Sequence, residues 1–156
     1  MYEFVNVNPC KRRLGDCVIR ALSLALNQQW ERTYIDLCIE GYIQCDMPNA
    51  NNVWEAYLLY KGFKRYPVPD VMTFEEFAET HNDGQLYVVA TGSHVAVIKD
   101  NTLYDNWDSS EEVIAYYFVK EGNNGIQSIQ HIVSELQSIP AGGSTAVSNN
   151  ATTATE

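Results

Sequence analysis

Cys17 and His94 are two residues of this 156-residue sequence whose types and positions suit nucleophilic chemistry. Cys17 follows the turn-forming pair Gly15-Asp16 and opens a strongly apolar run, which predicts a helix buried on most sides. The partial positive charge at a helix N-terminus favours thiolate, the nucleophilic form of cysteine. His94 follows a Gly-Ser pair and opens the apolar stretch 95–98, which predicts a strand that could hold a general base rigidly. The two side chains are therefore a candidate nucleophile and base.

A third group follows from the register of a predicted hairpin after His94. A two-residue turn at 100–101 places Asp105 on the same face as His94 and diagonal to it. Its carboxylate could then accept the second imidazole N–H and fix the tautomer and orientation of the ring. A register shifted by one residue brings Asn106 opposite His94 instead, so Asn106 is the alternative orienting residue.

The elements that must position these groups are helices first and an antiparallel sheet afterwards, which is an α+β class. Asp16 is the predicted N-cap of the first helix, unless Gly15 takes that place with Asp16 in the first turn. Helices are predicted at 16–27, at 30–40 with Gly41 as terminator, and at 52–60. A fourth helix is predicted to begin at a capping box formed by Thr73 and Glu76. A fifth, amphipathic helix is predicted from the spacing of Ile126, Ile129, Val133 and Leu136. Strands are predicted at 63–68, 85–91, 94–99, 102–107 and 113–119.

Length and composition predict a single domain over 1–139 and a disordered polar tail over 140–156. The sequence has no apolar run of the roughly 18 residues that a membrane span needs, and its first residues do not resemble a signal peptide, so we expect a cytoplasmic protein with reduced thiols. The net charge of −10 argues against nucleic-acid binding. The four cysteines form no close Cys-x-x-Cys pairs, and we expect neither a metal nor another cofactor.

The cationic cluster Lys11-Arg12-Arg13 lies just upstream of the cysteine. It is either a solvated loop or a source of positive charge that helps to hold a thiolate or an anionic group of a substrate. The sequence leaves both interpretations open.

Cys17, His94 and Asp105, together with their neighbours in sequence, resemble the active-site motifs of the papain-like cysteine peptidase superfamily. The matching features are Asp16-Cys17 opening a buried helix, His94-Val95-Ala96-Val97 opening a strand, and Asp105-Asn106-Trp107 on the next strand. Bacteriocin-processing and related bacterial peptidases are similar, as are small proteins encoded by phages. The segment 15–22 is also similar to the cysteine motif of ovarian-tumour-type deubiquitinases, although Leu14 stands where that family keeps an aspartate.

The resemblance implies a papain-like fold, in which a central helix carrying Cys17 packs on an antiparallel sheet carrying His94 and Asp105. It implies a thiol hydrolase (a cysteine peptidase, or an amidase or acyltransferase) that acts on a peptide, isopeptide or other amide without a cofactor. Lys11 stands where such peptidases usually have an oxyanion-stabilising Gln, so Asn8 is the candidate donor unless the backbone N–H of Cys17 acts alone.

Two further hypotheses compete with catalysis. The missing Gln, the small size and the acidic composition fit a papain-like scaffold that is weak or inactive as a catalyst and binds a protein partner, for instance a phage-encoded inhibitor. The third hypothesis is a structural or assembly protein in which Cys17 is a core residue. A reagent-accessible thiol close to His94 separates the first hypothesis from the third.

Overall fold

The computed structural model describes residues 1–120 and 129–138, in which five helices accompany a six-stranded mixed sheet. The predicted α+β class is therefore confirmed. The helices are α1 (Cys17–Leu26), α2 (Trp30–Gln44), α3 (Asn51–Tyr60), α4 (Phe74–Thr80) and α5 (Ile129–Ser138). The strands are β1 (Tyr2–Phe4), β2 (Lys64–Pro67), β3 (Leu86–Ala90), β4 (Val95–Lys99), β5 (Thr102–Asp105) and β6 (Tyr116–Val119).

The sheet has the strand order β1-β5-β4-β3-β6-β2, and its pairs are antiparallel except for β1 with β5. The prediction of a wholly antiparallel sheet was therefore wrong at one edge. The first residues of the chain run parallel to β5, where the Leu103 N–H donates to Met1 O at 2.8 Å and the Val5 N–H to Asp105 O at 2.7 Å. This pairing covers what would otherwise be an open edge of the hairpin that carries Asp105.

The β4–β5 hairpin has the predicted register, with Lys99 facing Thr102 across a two-residue turn. Asp100 and Asn101 occupy that turn with φ of 49° and 60°. Two successive left-handed residues are what a type I′ turn requires, and Asp and Asn tolerate this conformation better than most residues. The turn thus fixes which side chains of β5 lie beside those of β4.

The sheet is covered by helices on both faces. Val88 of β3 and Val97 of β4 belong to one buried cluster with Leu22 of α1. The alternate residues of the same strands face the other side, where Ile98 lies in a second cluster with Phe77 of α4. Every residue of β3 and β4 is buried, as expected for central strands. The α1 helix packs against this rigid centre, and its first residue lies close to the start of β4.

Three predicted element boundaries were wrong by two residues or more. The β5 strand ends at Asp105, so Asn106 and Trp107 follow the strand and are not part of it. The α2 helix continues through Gly41 and ends at Gln44, and its C-cap residue Cys45 has a left-handed backbone with φ of 55°. Gly41 is needed for a close approach, because a Cβ there would lie 2.7 Å from the Asp46 carbonyl oxygen. The β6 strand begins at Tyr116, and Val113 makes only an isolated bridge.

The capping box is present, since Thr73 accepts from the Glu76 N–H and Glu76 accepts from the Thr73 N–H. The predicted C-terminal helix exists as α5, while Ile126, the domain end at 139 and the tail 140–156 lie outside the described residues. In the part of the chain that the structure describes, no helix combines the length and the apolar character needed to cross a membrane.

Candidate functional site

A cleft of about 620 Å³ opens at the N-terminus of α1 and is called the thiol cleft below. Four stretches that are distant in sequence meet around it: the loop that leads into α1, the start of α3, the start of β4 and the residues after β5. The lining residues are 13–15, 17, 18, 20, 49–51, 92–95, 106 and 107. Both Cys17 and His94 are among them, so the fold brings the two predicted reactive side chains to one solvent-accessible cleft.

Cys17 is the first residue of α1 and is partly buried. Asp16 occupies the N-cap position, as predicted, but its side chain makes no cap hydrogen bond. The first N–H groups of a helix have no partner within the helix. In α1 these groups lie next to the thiol, where they add positive potential.

His94 is held by both its backbone and its ring. Its N–H donates to Thr91 Oγ1 at 2.9 Å, and its ring packs beside Trp107 with 5.1 Å between ring centroids. Its Nε2 donates to Asp105 Oδ2 at 2.5 Å. Because this bond occupies Nε2, Nδ1 is the nitrogen that remains to interact with Cys17, which lines the same cleft.

Asp105 ends β5 and is only 2 % exposed. Besides His94, its carboxylate accepts from Ser109 Oγ at 2.7 Å and from the Asn106 backbone N–H at 2.7 Å. Burial alone would raise the pKa of Asp105, but the hydrogen bonds from His94 and Arg20 outweigh it and lower this pKa. The alternative orienting residue, Asn106, lies buried in the cleft wall, while the His94 ring bonds to Asp105.

The electrostatics of the pair favour charge separation. Burial by itself would raise the pKa of the Cys17 thiol, but the hydrogen bond and charge of His94 outweigh it and lower this pKa. Burial would lower the pKa of His94, but hydrogen bonds to Asp105 and Cys17 raise it to about 9. Near neutral pH these shifts favour a thiolate beside an imidazolium, which is a nucleophile beside its proton donor.

Arg20 completes the site from inside the fold, and the sequence analysis assigned it no role. It lies one turn after the thiol on α1 and is 5 % exposed. Its Nε donates to Asp16 Oδ1 and its Nη1 donates to Asp105 Oδ1, both at 2.8 Å. One guanidinium thus joins the helix that carries the thiol to the strand that carries the orienting carboxylate. The available signal was a single cation within an apolar helix, because a buried arginine requires partners.

Asn8 lies behind the thiol cleft and is not part of its lining. Its Nδ2 donates to Asp16 Oδ2 at 3.3 Å, and its Oδ1 accepts from the Cys10 N–H at 3.0 Å. Lys11, in the position of the missing Gln, donates from Nζ to the backbone oxygen of Asn6 at 3.1 Å. Neither side chain borders the cleft, which leaves the first N–H groups of α1 as the candidate donors to an oxyanion.

Comparison of the chain with models of protein families, with curated proteins and with solved structures found no match. Functional inference therefore depends on the residues and geometry of the thiol cleft itself.

Proposed function

We propose that this protein is a papain-like thiol hydrolase, a cysteine peptidase or an amidase or acyltransferase, acting on a peptide, isopeptide or other amide. Cys17 is the nucleophile, His94 the general acid and base, and Asp105 the residue that orients His94. The observation that supports this most directly is that Cys17 and His94 line one open cleft and that His94 is hydrogen-bonded to the buried carboxylate of Asp105. The papain-like arrangement of a thiol helix on a sheet belongs to the same proposal.

The proposed reaction has two steps. The Cys17 thiolate attacks the carbonyl carbon of the amide, and the His94 imidazolium gives its proton to the departing nitrogen, which leaves a thioester. In the second step His94 takes a proton from water, the resulting hydroxide attacks the thioester carbon, and the carbon–sulfur bond breaks to release the acid. The Cys17 thiolate is thereby restored beside the protonated His94. The backbone N–H groups at the start of α1 would stabilise the negative oxygen formed in each step.

The first experiment compares the four free cysteines with one another. Limited iodoacetamide at pH 7, followed by peptide mapping, should modify Cys17 faster than Cys10 and Cys45, although both of these are more exposed. This result would separate an activated thiol from an accessible one. Modification of Cys17 at or below the rate of the two exposed cysteines would refute an activated nucleophile.

The second experiment tests acyl transfer. Incubation with activated esters and amide libraries should produce an acyl-enzyme mass adduct on the wild type, which Cys17→Ala abolishes. His94→Gln should reduce its rate by about a hundredfold or more, as loss of a general acid and base does. A matched Cys45→Ala control should retain the adduct. Adduct formation that persists in Cys17→Ala would contradict the assignment of the nucleophile.

A second candidate function is a catalytically weak scaffold that binds a protein partner. It is favoured by the engagement of Asn8 with Asp16 and of Lys11 with Asn6, because neither of these two candidate donors lines the cleft. This function predicts fast alkylation of Cys17 but no acyl-enzyme from any library. We also propose a cytoplasmic location, a reducing setting that the four free cysteines fit.

A further inference from the structure

The thiol cleft differs in charge from the rest of the protein. The chain carries a net charge of −10, yet among the described residues the lining of the cleft contains two arginines and neither aspartate nor glutamate. Arg20 is paired with two buried carboxylates, which neutralise its charge. His94 is engaged with Asp105, so Arg13 is the cleft cation without a carboxylate partner among the described residues, and it is exposed at the cleft rim.

The structure distinguishes the three members of the cationic cluster. Lys11 binds the backbone oxygen of Asn6 and lies outside the cleft lining, and Arg12 also lies outside it. Arg13 lines the cleft, and no carboxylate among the described residues contacts it. Its guanidinium carbon lies 5.8 Å from the centroid of the Phe4 ring, and Arg13 also borders a second cavity with Phe4 and Glu3. A cation–π contact does not use the N–H donors, which an anion can bind.

The part of the cleft beside Gly15 is open. Gly15 lies between Arg13 and Cys17 in sequence and lines the same cleft, and a Cβ built on it would meet no atom within 4 Å. Neither a positive φ nor tight packing explains this glycine. The missing side chain leaves room for a group of the substrate to pass from Cys17 towards the guanidinium.

We propose that Arg13 recognises a carboxylate near the bond that Cys17 attacks, so that the preferred substrates are acidic peptides or amides. This inference rests on the proposed function, since it assigns a substrate class to the same cleft. The guanidinium matches a carboxylate with two parallel hydrogen bonds. The negative charge over the remaining surface repels anions, so a cleft without carboxylates becomes the favoured place for an acidic chain to bind.

Two small reagents test the potential at the thiol without requiring hydrolysis. Iodoacetate and iodoacetamide both form a carbon–sulfur bond with the thiolate and release iodide, but only iodoacetate is an anion. The measured quantity is the ratio of their rates at Cys17. Arg13→Gln should lower the iodoacetate-to-iodoacetamide ratio about threefold, the effect of one screened charge near the reacting atom. Arg12→Gln is the matched control and should leave the ratio unchanged.

Substrate pairs provide the second readout. For acyl donors that differ only in Glu against Gln beside the scissile bond, the wild type should prefer Glu and Arg13→Gln should lose that preference, while Arg12→Gln keeps it. Equal effects of the two arginine substitutions on both ratios would overturn the assignment of Arg13. A slow thiol in the wild type would instead overturn the proposed function, so the two failures are distinguishable.

Discussion

Replacing Arg20 with methionine should destabilise the protein by about 3–5 kcal/mol at pH 7, the range measured when one partner of a buried ion pair is removed. The substitution keeps a long apolar stem but leaves Asp16 and Asp105 without their shared cation. All three side chains are almost fully buried, with residue exposures of 5 %, 5 % and 2 % for Arg20, Asp16 and Asp105. Asp16 and Asp105 do not line the thiol cleft, so little water reaches these carboxylates to replace the guanidinium.

The predicted loss of about 3–5 kcal/mol agrees with the strength of the individual hydrogen bonds that Arg20 makes. Arg20 makes two hydrogen bonds of 2.8 Å to charged oxygens, and such bonds contribute about 1.5–3 kcal/mol each. Asp105 keeps its bond to His94, and Asp16 keeps the donors Trp30 and Asn8, so the lower part of the combined range is expected. For a chain of this size, a loss of 3–4 kcal/mol corresponds to a fall in Tm of roughly 10 °C.

The assay is urea unfolding at pH 7, followed by tryptophan fluorescence. Arg32 provides the control, because its Nε also lies 2.8 Å from an aspartate four positions away but its side chain is 69 % exposed. Arg32→Met should therefore change stability by less than about 1 kcal/mol. Adding Asp16→Asn to Arg20→Met should recover part of the loss, since a neutral amide is easier to bury than an unpaired carboxylate.

Two results would refute this reasoning about Arg20. One is a loss no larger than that of the exposed Arg32 control. The other is a large loss that Asp16→Asn fails to reduce, which would mean that packing of the long side chain, and not compensation of buried charge, accounts for its effect.

Three further substitutions have expected outcomes. Asp105→Asn should lower the pKa of His94 from about 9 towards its ordinary value of 6.5, which an NMR titration measures. The pKa of His94 is higher in the folded protein than in the unfolded chain. Protonated His94 therefore stabilises the wild type fully below pH 6.5, and this stabilisation is lost as the pH rises through 9. Asp105→Asn should flatten this dependence of stability on pH. Gly41→Ala should destabilise by about 1–3 kcal/mol in urea, because its Cβ would meet the Asp46 carbonyl oxygen. Thr73→Ala should lower the unfolding free energy by about 1 kcal/mol by removing the cap of α4, and an unchanged value would contradict a stabilising box.

The hairpin that carries Asp105 could be predicted from sequence because its determinants are local. Asp100 and Asn101 tolerate the left-handed conformation, and the turn length then decides the pairing of every residue on the two strands. The same applies to the capping box of Thr73 and Glu76. Residue types were sufficient to predict these two features because a few neighbouring residues determine their geometry.

The features that could not be predicted depend on partners distant in sequence. Asp16 is the N-cap residue of α1, as predicted, but its carboxylate accepts from Arg20, Trp30 and Asn8 and not from the helix N–H groups. Arg20 finds its second partner, Asp105, 85 positions away. No pattern of hydrophobic periodicity contains such a contact, because it exists only after the helix has packed on the sheet.

The diversion of Asp16 from capping has a chemical consequence for the thiol cleft. A carboxylate that capped α1 would occupy the first N–H groups of the helix and place negative charge beside the Cys17 sulfur, which would raise the pKa of the thiol. Arg20 instead holds that carboxylate on the buried side, and its other nitrogen holds Asp105 against His94. The bridge that stabilises the fold therefore also leaves the helix N-terminus open beside the thiol. Thiolate formation and the orientation of the imidazole thus depend on one buried cation.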